Sequence, residues 1–154
     1  MMSRVGHSFI KEQMRQNDAI FAGELSGHYY FKANSTAESS SMATYALANI
    51  VSASDKPLSA LIAPLKKYRQ SGEINTKTVT PPAEVLAKVK ATYAAKGLKV
   101  FELDGVSVDA WEAEGWWANV RMSNTEPLVR LNLEGRTQEL MEKMRDELLA
   151  LIRA

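Results

Sequence analysis

The segment Gly23-Glu24-Leu25-Ser26-Gly27-His28 runs directly into Tyr29-Tyr30-Phe31, so two glycines bracket a carboxylate, a hydroxyl and an imidazole ahead of an aromatic run. Glycine reaches backbone conformations with positive φ and lets a ligand come close to the main chain. A carboxylate accepts hydrogen bonds, a hydroxyl donates or accepts, and a neutral imidazole donates at one nitrogen and accepts at the other. That set suits a polyhydroxylated ligand such as a sugar. The same residues also make a glycine-bounded turn before a buried strand, and this stretch alone leaves both readings open.

A second stretch, Arg121-Met122-Ser123-Asn124-Thr125-Glu126-Pro127, lies between two runs that read as strands. The guanidinium offers a planar fork of donors matched to phosphate oxygens, and bonds of that kind are the strong ones. Consecutive backbone N–H groups in such a turn form an anion-binding nest. An Asn/Thr-rich hairpin loop that follows an arginine has the same composition without binding anything.

Together the two stretches resemble the α-D-phosphohexomutases, in the phosphomannomutase/phosphoglucomutase branch. Gly-Glu-Leu-Ser-Gly-His is similar to that branch's sugar-recognition loop, and Arg-Met-Ser-Asn-Thr-Glu-Pro to the phosphate loop of the family's last domain. Val5-Gly6-His7-Ser8-Phe9-Ile10-Lys11 is similar to the Gly-His segment upstream of the sugar loop. The three motifs stand in the family's order and cover nearly the whole chain.

The bulk composition narrows the classes around that resemblance. At 154 residues and 45% hydrophobic content the chain holds one sizeable domain, or one plus part of another, with enough apolar material for a core. Net charge is +1, from 19 basic and 18 acidic residues spread along the chain. Without a basic block, neither nucleic acid nor a membrane surface is an expected partner, and any anion site is local. Cysteine is absent, which excludes disulfides and thiolate metal sites and fits a reducing cytoplasm. The sequence has no signal peptide and no apolar run near 18 residues. The doubled Met1-Met2 fits a chain that begins inside a longer gene.

In chain order, Ser8 is a candidate N-cap for a short amphipathic helix ending near Asn17-Asp18. Ala19-Ile20-Phe21-Ala22 reads as a brief buried strand that delivers Glu24 at its end, and Tyr29-Tyr30-Phe31 as the next strand. A polar loop from Asn34 to Ser41 is rich in helix-capping residues. Met42, Tyr45, Ala46, Ile50 and Val51 then recur at helical spacing. Pro57 opens another helix that Pro64 shortens or kinks, because proline lacks an N–H and clashes with the preceding turn. The polar segment ending in Ser71-Gly72 is the expected domain boundary, giving units 1–72 and 73–154.

Beyond it, Glu73 to Val79 is β-prone. Val85, Leu86, Val89 and Tyr93 mark a helix face closed by Gly97. Asp104-Gly105 is a two-residue hairpin signal between Val100–Leu103 and Val106–Val108. Trp116–Arg121 and Leu128–Leu133 read as strands. Thr137 is positioned to cap a last helix with Leu140, Met141, Met144, Leu148 and Ile152 as its buried stripe. The second unit is thus an α+β arrangement, an antiparallel sheet carrying two helices.

The resemblance implies the same class: a TATA-binding-protein-like C-terminal domain, preceded by the latter part of an α/β third domain whose opening strands are missing. A half-domain of that kind leaves sheet edges and apolar faces uncovered. The sequence departs from the family pattern at Ser39-Ser40, where an Asp-Gly pair is more usual before the helix, and this leaves the local turn geometry open.

The resemblance further implies an enzyme that moves a phosphoryl group between the 1- and 6-positions of a hexose, using an active-site phosphoserine and Mg²⁺. The corresponding Ser-His-Asn-Pro and Asp-Gly-Asp-Gly-Asp-Arg runs are absent from this chain. The expectation is therefore a C-terminal portion that recognises mannose or glucose phosphate, binds no metal itself, has no catalytic residue of its own and works with preceding domains. Glu24 and Ser26 would hold sugar hydroxyls, His28 would support the loop or face the ligand, and Gly6 and His7 would line the sugar site, His7 near the reacting oxygen. Arg121, Ser123, Asn124 and Thr125 would bind the phosphate that is not transferred, with Glu126 turned away. The alternative is a stand-alone, non-catalytic phosphosugar-binding or oligomerisation module.

Overall fold

A computed structural model of the chain describes residues 1–123 and 126–154. It divides into two compact units, Met1–Leu65 and Lys66–Ala154. The division falls earlier than the sequence pattern places it, because Arg69 and Gln70 pair with Gly135 and Glu134 in the second unit's sheet.

In the first unit, helix α1 (His7–Gln16) starts at Gly6, so Ser8 lies inside the helix instead of capping it. Strands β1 (Phe21–Gly23), β2 (Tyr29–Phe31) and β3 (Ala37–Glu38) form a small antiparallel sheet in the order β1-β2-β3. Ile10, Met14 and Tyr30 make its buried core, with Ala19 and Ala22 packed against them. The expected buried strand is only half so: Ala22 faces the core, whereas Ile20 is 77% and Phe21 50% exposed. Alternation turns Phe21 to the face opposite Ala22, and Ile20 lies in a bend before β1 begins.

Helix α2 (Ser40–Ser52) is capped by Ser39, whose Oγ accepts from the Met42 N–H, so serine here serves the helix start directly. Helix α3 (Leu58–Ile62) follows Pro57 and gives way to a 3₁₀ turn at Ala63–Leu65, where Pro64 interrupts the α pattern. Tyr45, Ile50, Leu58 and Leu65 remain exposed on these helices.

The second unit is built on strands β4 (Arg69–Gln70) and β5 (Ile74–Thr76), helix α4 (Pro82–Ala95), strands β6 (Lys99–Phe101) and β7 (Val106–Ala110), the one-turn helix α5 (Trp111–Glu114), strands β8 (Trp116–Met122) and β9 (Val129–Gly135), and helix α6 (Gln138–Arg153). The sheet is antiparallel in the order β4-β9-β8-β7-β6, with β5 also on β9. Between β4 and β5, Ser71 bridges the gap: its N–H donates to the Leu133 carbonyl and its Oγ accepts from the Leu133 N–H.

The β6–β7 turn differs from the two-residue loop expected at Asp104-Gly105. Phe101 pairs with Ser107, and residues 102–105 connect the end of β6 to the start of β7, with Gly105 at φ +74°. That is a left-handed conformation, which glycine occupies without strain. A Cβ at Gly105 would also lie 2.3 Å from the Val120 carbonyl oxygen.

Thr137 caps α6 through its side chain, and Met141, Met144, Leu148, Leu149 and Ile152 are buried against the sheet. Val85, Val89 and Tyr93 of α4 join the same core. Each such side chain taken fully from water stabilises by roughly 1.5–3 kcal/mol. Along β8 the inward residues are Trp116, Ala118 and Val120, and along β9 Val129, Leu131 and Leu133. The period of two therefore turns Asn119, Arg121, Arg130 and Asn132 to the face that carries no helix.

Candidate functional site

In the first unit the strand register shapes the glycine-bracketed turn. Gly23 pairs with Tyr29, the Glu24 N–H donates to the His28 carbonyl, and the Gly27 N–H donates to the Glu24 carbonyl. Gly27 sits at φ +85°, a conformation that side chains other than glycine's oppose. The turn thereby presents Glu24, Ser26 and His28 on one side.

A polar relay runs through them. Ser26 Oγ lies 2.7 Å from His28 Nδ1 and 3.3 Å from Glu24 Oε2. A carboxylate only accepts, so both contacts are satisfied when His28 Nδ1–H donates to Ser26 and the Ser26 hydroxyl donates to Glu24. That arrangement leaves the lone pair of His28 on Nε2. Tyr30, fully buried in the core beneath, donates its hydroxyl to Glu24 Oε1. Burial first, and then the Glu24 carboxylate, hold the Tyr30 phenol well above its ordinary range, so it stays a donor.

His7, the first residue of α1, reaches the same place. Its ring lies 5.2 Å from that of His28 and 5.6 Å from that of Tyr30, both edge-on, and its Nδ1 is 3.9 Å from Glu38 Oε2. Glu38 stands opposite Tyr30 on β3. The structure thus brings His7, Glu24, Ser26 and His28 together, with Gly6 at the start of the helix that carries His7. Tyr30 and Glu38 belong to the same cluster, although motif reading passes over both.

In the second unit Arg121 and Arg130 stand directly opposite each other across β8 and β9. Like charges so placed repel, and Glu73 separates them: Arg121 donates to Oε2 at 3.0 Å and Arg130 to Oε1 at 2.8 Å. Arg130 also donates to Ser123 Oγ at 3.3 Å, while its buried Nε has no partner among the described residues. The Ser123 N–H donates to the Leu128 carbonyl and the Glu126 N–H donates to Ser123 Oγ, which closes the loop base. Asn124 and Thr125 lie outside the described residues. Arg130 is absent from the motif reading, yet a hairpin centred between positions 125 and 126 pairs 121 with 130. That register was the available signal.

The family model described as phosphoglucomutase/phosphomannomutase, alpha/beta/alpha domain III, matches residues 1–68, and that described as phosphoglucomutase/phosphomannomutase, C-terminal domain, matches 73–151. The chain belongs to the phosphoglucomutase/phosphomannomutase family. An Escherichia coli phosphomannomutase is 39% identical over 155 residues, covering 99% of this chain and 33% of that protein. A Methanocaldococcus jannaschii phosphomannomutase is 42% identical over 150 residues, covering 97% and 32% respectively. A solved phosphoglucomutase/phosphomannomutase family protein from Burkholderia thailandensis superposes with a TM-score of 0.78 at 27% identity, over 99% of this chain and 32% of that one. This family member spans about a third of the length of the curated relatives it matches. It corresponds to the phosphohexomutase family's C-terminal portion, of the α+β class, and the relatives carry further domains. No helix among the described residues is long and apolar enough to cross a membrane.

Proposed function

We propose that this chain supplies the sugar- and phosphate-recognition loops of a phosphohexomutase acting on mannose or glucose phosphates, with the first unit, Met1–Leu65, serving the sugar and the second, Lys66–Ala154, the phosphate. The observation that carries the reading is the pair of facing guanidiniums, Arg121 and Arg130, held apart by one carboxylate at the base of the Ser123 loop. Two guanidiniums beside a single Glu73 leave a local excess of positive charge and donor capacity, which a dianionic phosphate matches. Arg121 and Ser123, with Asn124 and Thr125 by motif and Arg130 by register, are the phosphate-binding set.

In the first unit Glu24 and Ser26 hold sugar hydroxyls. Tyr30 and the relay fix the Glu24 carboxylate, whose two oxygens retain lone pairs for a ligand. His28 offers Nε2 as an acceptor, and Gly6 and His7 line the opposite side. No residue of this chain is assigned to phosphoryl transfer, which depends on positioning and on neutralisation of charge by metal and cations. The family resemblance implies Mg²⁺, but the donor set here does not suit it. Among the described residues the cluster of three side chains able to share an ion contains two imidazoles and one carboxylate, whereas Mg²⁺ takes oxygen ligands in near-ideal octahedral geometry. The exposed apolar residues Ile20, Phe21, Tyr45 and Ile50 are covered by the preceding domains of the longer protein, and the assembly works in the cytoplasm.

The test is a coupled mutase assay with glucose 1-phosphate and mannose 1-phosphate. It is run on this chain alone and on this chain mixed with separately expressed preceding domains of a phosphomannomutase relative. Turnover only in the mixture is the expected outcome. Turnover by the chain alone, in material free of host mutase, overturns the division between recognition and transfer.

A further inference from the structure

His7 and His28 are the only two histidines of the chain. They are far apart in sequence, and the fold brings their rings to 5.2 Å, with Glu38 beside them. One donor atom from each of His7, His28 and Glu38 lies within 4.8 Å of the other two. We infer that these three side chains form a binding site for one divalent transition ion of the zinc class, a site distinct in chemistry from the Mg²⁺ site that the family resemblance implies elsewhere.

Three features carry the inference. First, two imidazoles and a carboxylate are an established three-ligand set for Zn²⁺, with a fourth position left for water. Donors arranged tetrahedrally around Zn²⁺ lie about 3.4 Å apart, from Zn–N and Zn–O distances of about 2.0–2.2 Å. His7 Nδ1 and Glu38 Oε2 are already 3.9 Å apart. His7 is exposed and Glu38 half-buried, so small side-chain rotations close the remaining gap without moving the core.

Second, the outer shell is in place. A metal-bound histidine usually donates its other ring N–H to a fixed acceptor, which sets the tautomer and the ring orientation. The His28 Nδ1–Ser26–Glu24 relay does this and leaves Nε2 for an ion. Third, nitrogen donors favour Zn²⁺, Ni²⁺ and Cu²⁺ over Mg²⁺ and Ca²⁺. The inference goes beyond the sequence expectation that this chain holds no metal, and it stands whether or not the same groups meet a sugar.

The absence of cysteine and of any other histidine makes the test clean. Calorimetric titration of the whole chain with Zn²⁺, without sugar present, is expected to give one tight equivalent that a tenfold excess of Mg²⁺ leaves in place. His7→Asn, His28→Asn and Glu38→Gln should each abolish that equivalent. Ser26→Ala, which removes only the outer-shell contact, should weaken it about tenfold or more. Because a variant could perturb the fold, Co²⁺ serves as a second probe on the unaltered chain. The expected result is the intense visible absorption of a four-coordinate ion, with Co²⁺ displaced by one equivalent of Zn²⁺. Imidazole ¹⁵N spectra should show His28 protonated at Nδ1 before the ion is added and coordinated at Nε2 after. Binding that the three variants leave unchanged, a six-coordinate Co²⁺ spectrum, or no saturable binding would overturn the inference.

Discussion

Replacing Glu73 by Gln removes the carboxylate that bridges two guanidiniums standing face to face on β8 and β9. The contacts are 3.0 and 2.8 Å, and the side chains are 12% (Arg121), 24% (Arg130) and 26% (Glu73) exposed. Each pair at such distances attracts by about 4 kcal/mol or more at an effective dielectric near 20, most of it offset by desolvation. Exposed ion pairs contribute up to about 1 kcal/mol, whereas breaking a buried one costs about 3–5 kcal/mol. A partly buried pair of contacts falls between these, at about 2 kcal/mol. For a unit of this size that is a fall in Tm of about 8–16 °C. The chain's tryptophans are Trp111, Trp116 and Trp117, all in the second unit, so their emission follows this unit alone.

Phosphate should reverse the loss. It replaces the missing negative charge and meets no carboxylate competitor, so its affinity for Glu73→Gln should rise about tenfold over the unaltered chain, which is about 1.4 kcal/mol. The assay is thermal melting at low salt, then with phosphate or with chloride at matched ionic strength. A Tm that Glu73→Gln does not change would refute the reasoning. So would a loss that chloride restores as well as phosphate does.

Three other outcomes are expected. Burial, then Glu147, raises the Tyr93 phenol well above its ordinary value of 10.0. The stability carried by its neutral form is thus complete below about pH 10 and is lost as pH rises beyond it, and Tyr93→Phe should flatten this alkaline limb in tryptophan-monitored melts. Gly105→Ala forces alanine into a left-handed conformation and a Cβ to 2.3 Å from the Val120 carbonyl oxygen, which should cost at least about 2 kcal/mol in denaturant titration. Amide exchange should protect Leu131, central in the larger sheet, far more than Ala22 in the three-residue β1; equal protection would mean that the first unit is as cooperative as the second.

What the sequence discloses here follows the range of the interactions involved. Thr137 and the stripe through Met141, Met144, Leu148 and Ile152 are local features of one helix, and they read correctly. Ser39 caps α2 from within the loop that reads as rich in capping residues, although the sequence leaves the turn at Ser39-Ser40 open. The Asp104-Gly105 turn reads in the right place but too short, because loop length is decided by the register between β6 and β7 and by the close approach to Val120. Strand β4 carries two exposed polar residues and has no pattern of its own; it exists because the edge of β9 is open to it.

The candidate sites divide the same way. Glu24, Ser26 and His28 share a single turn and are visible as a motif. Tyr30 and Glu38 join them only through the pairing of β2 with β3. Arg130 and Glu73 meet Arg121 only through the pairing of β8 with β9 and the placement of the segment before β5. Ile20 and Phe21 show the converse limit: an apolar run reads as a buried strand, yet both side chains are exposed.

If the Arg121 loop reads phosphate while the Glu24 loop reads the sugar, chemical-shift titration of the ¹⁵N-labelled chain separates the two. A few charge-assisted bonds on a single loop correspond to binding near millimolar, about −4 kcal/mol. Glucose 6-phosphate should shift Arg121, Ser123, Asn124, Thr125 and Arg130, and inorganic phosphate should reproduce those shifts. Unphosphorylated glucose should leave them still, and Arg121→Ala should abolish them. Equal shifts with free glucose, or shifts that persist in Arg121→Ala, would show that this loop does not read phosphate.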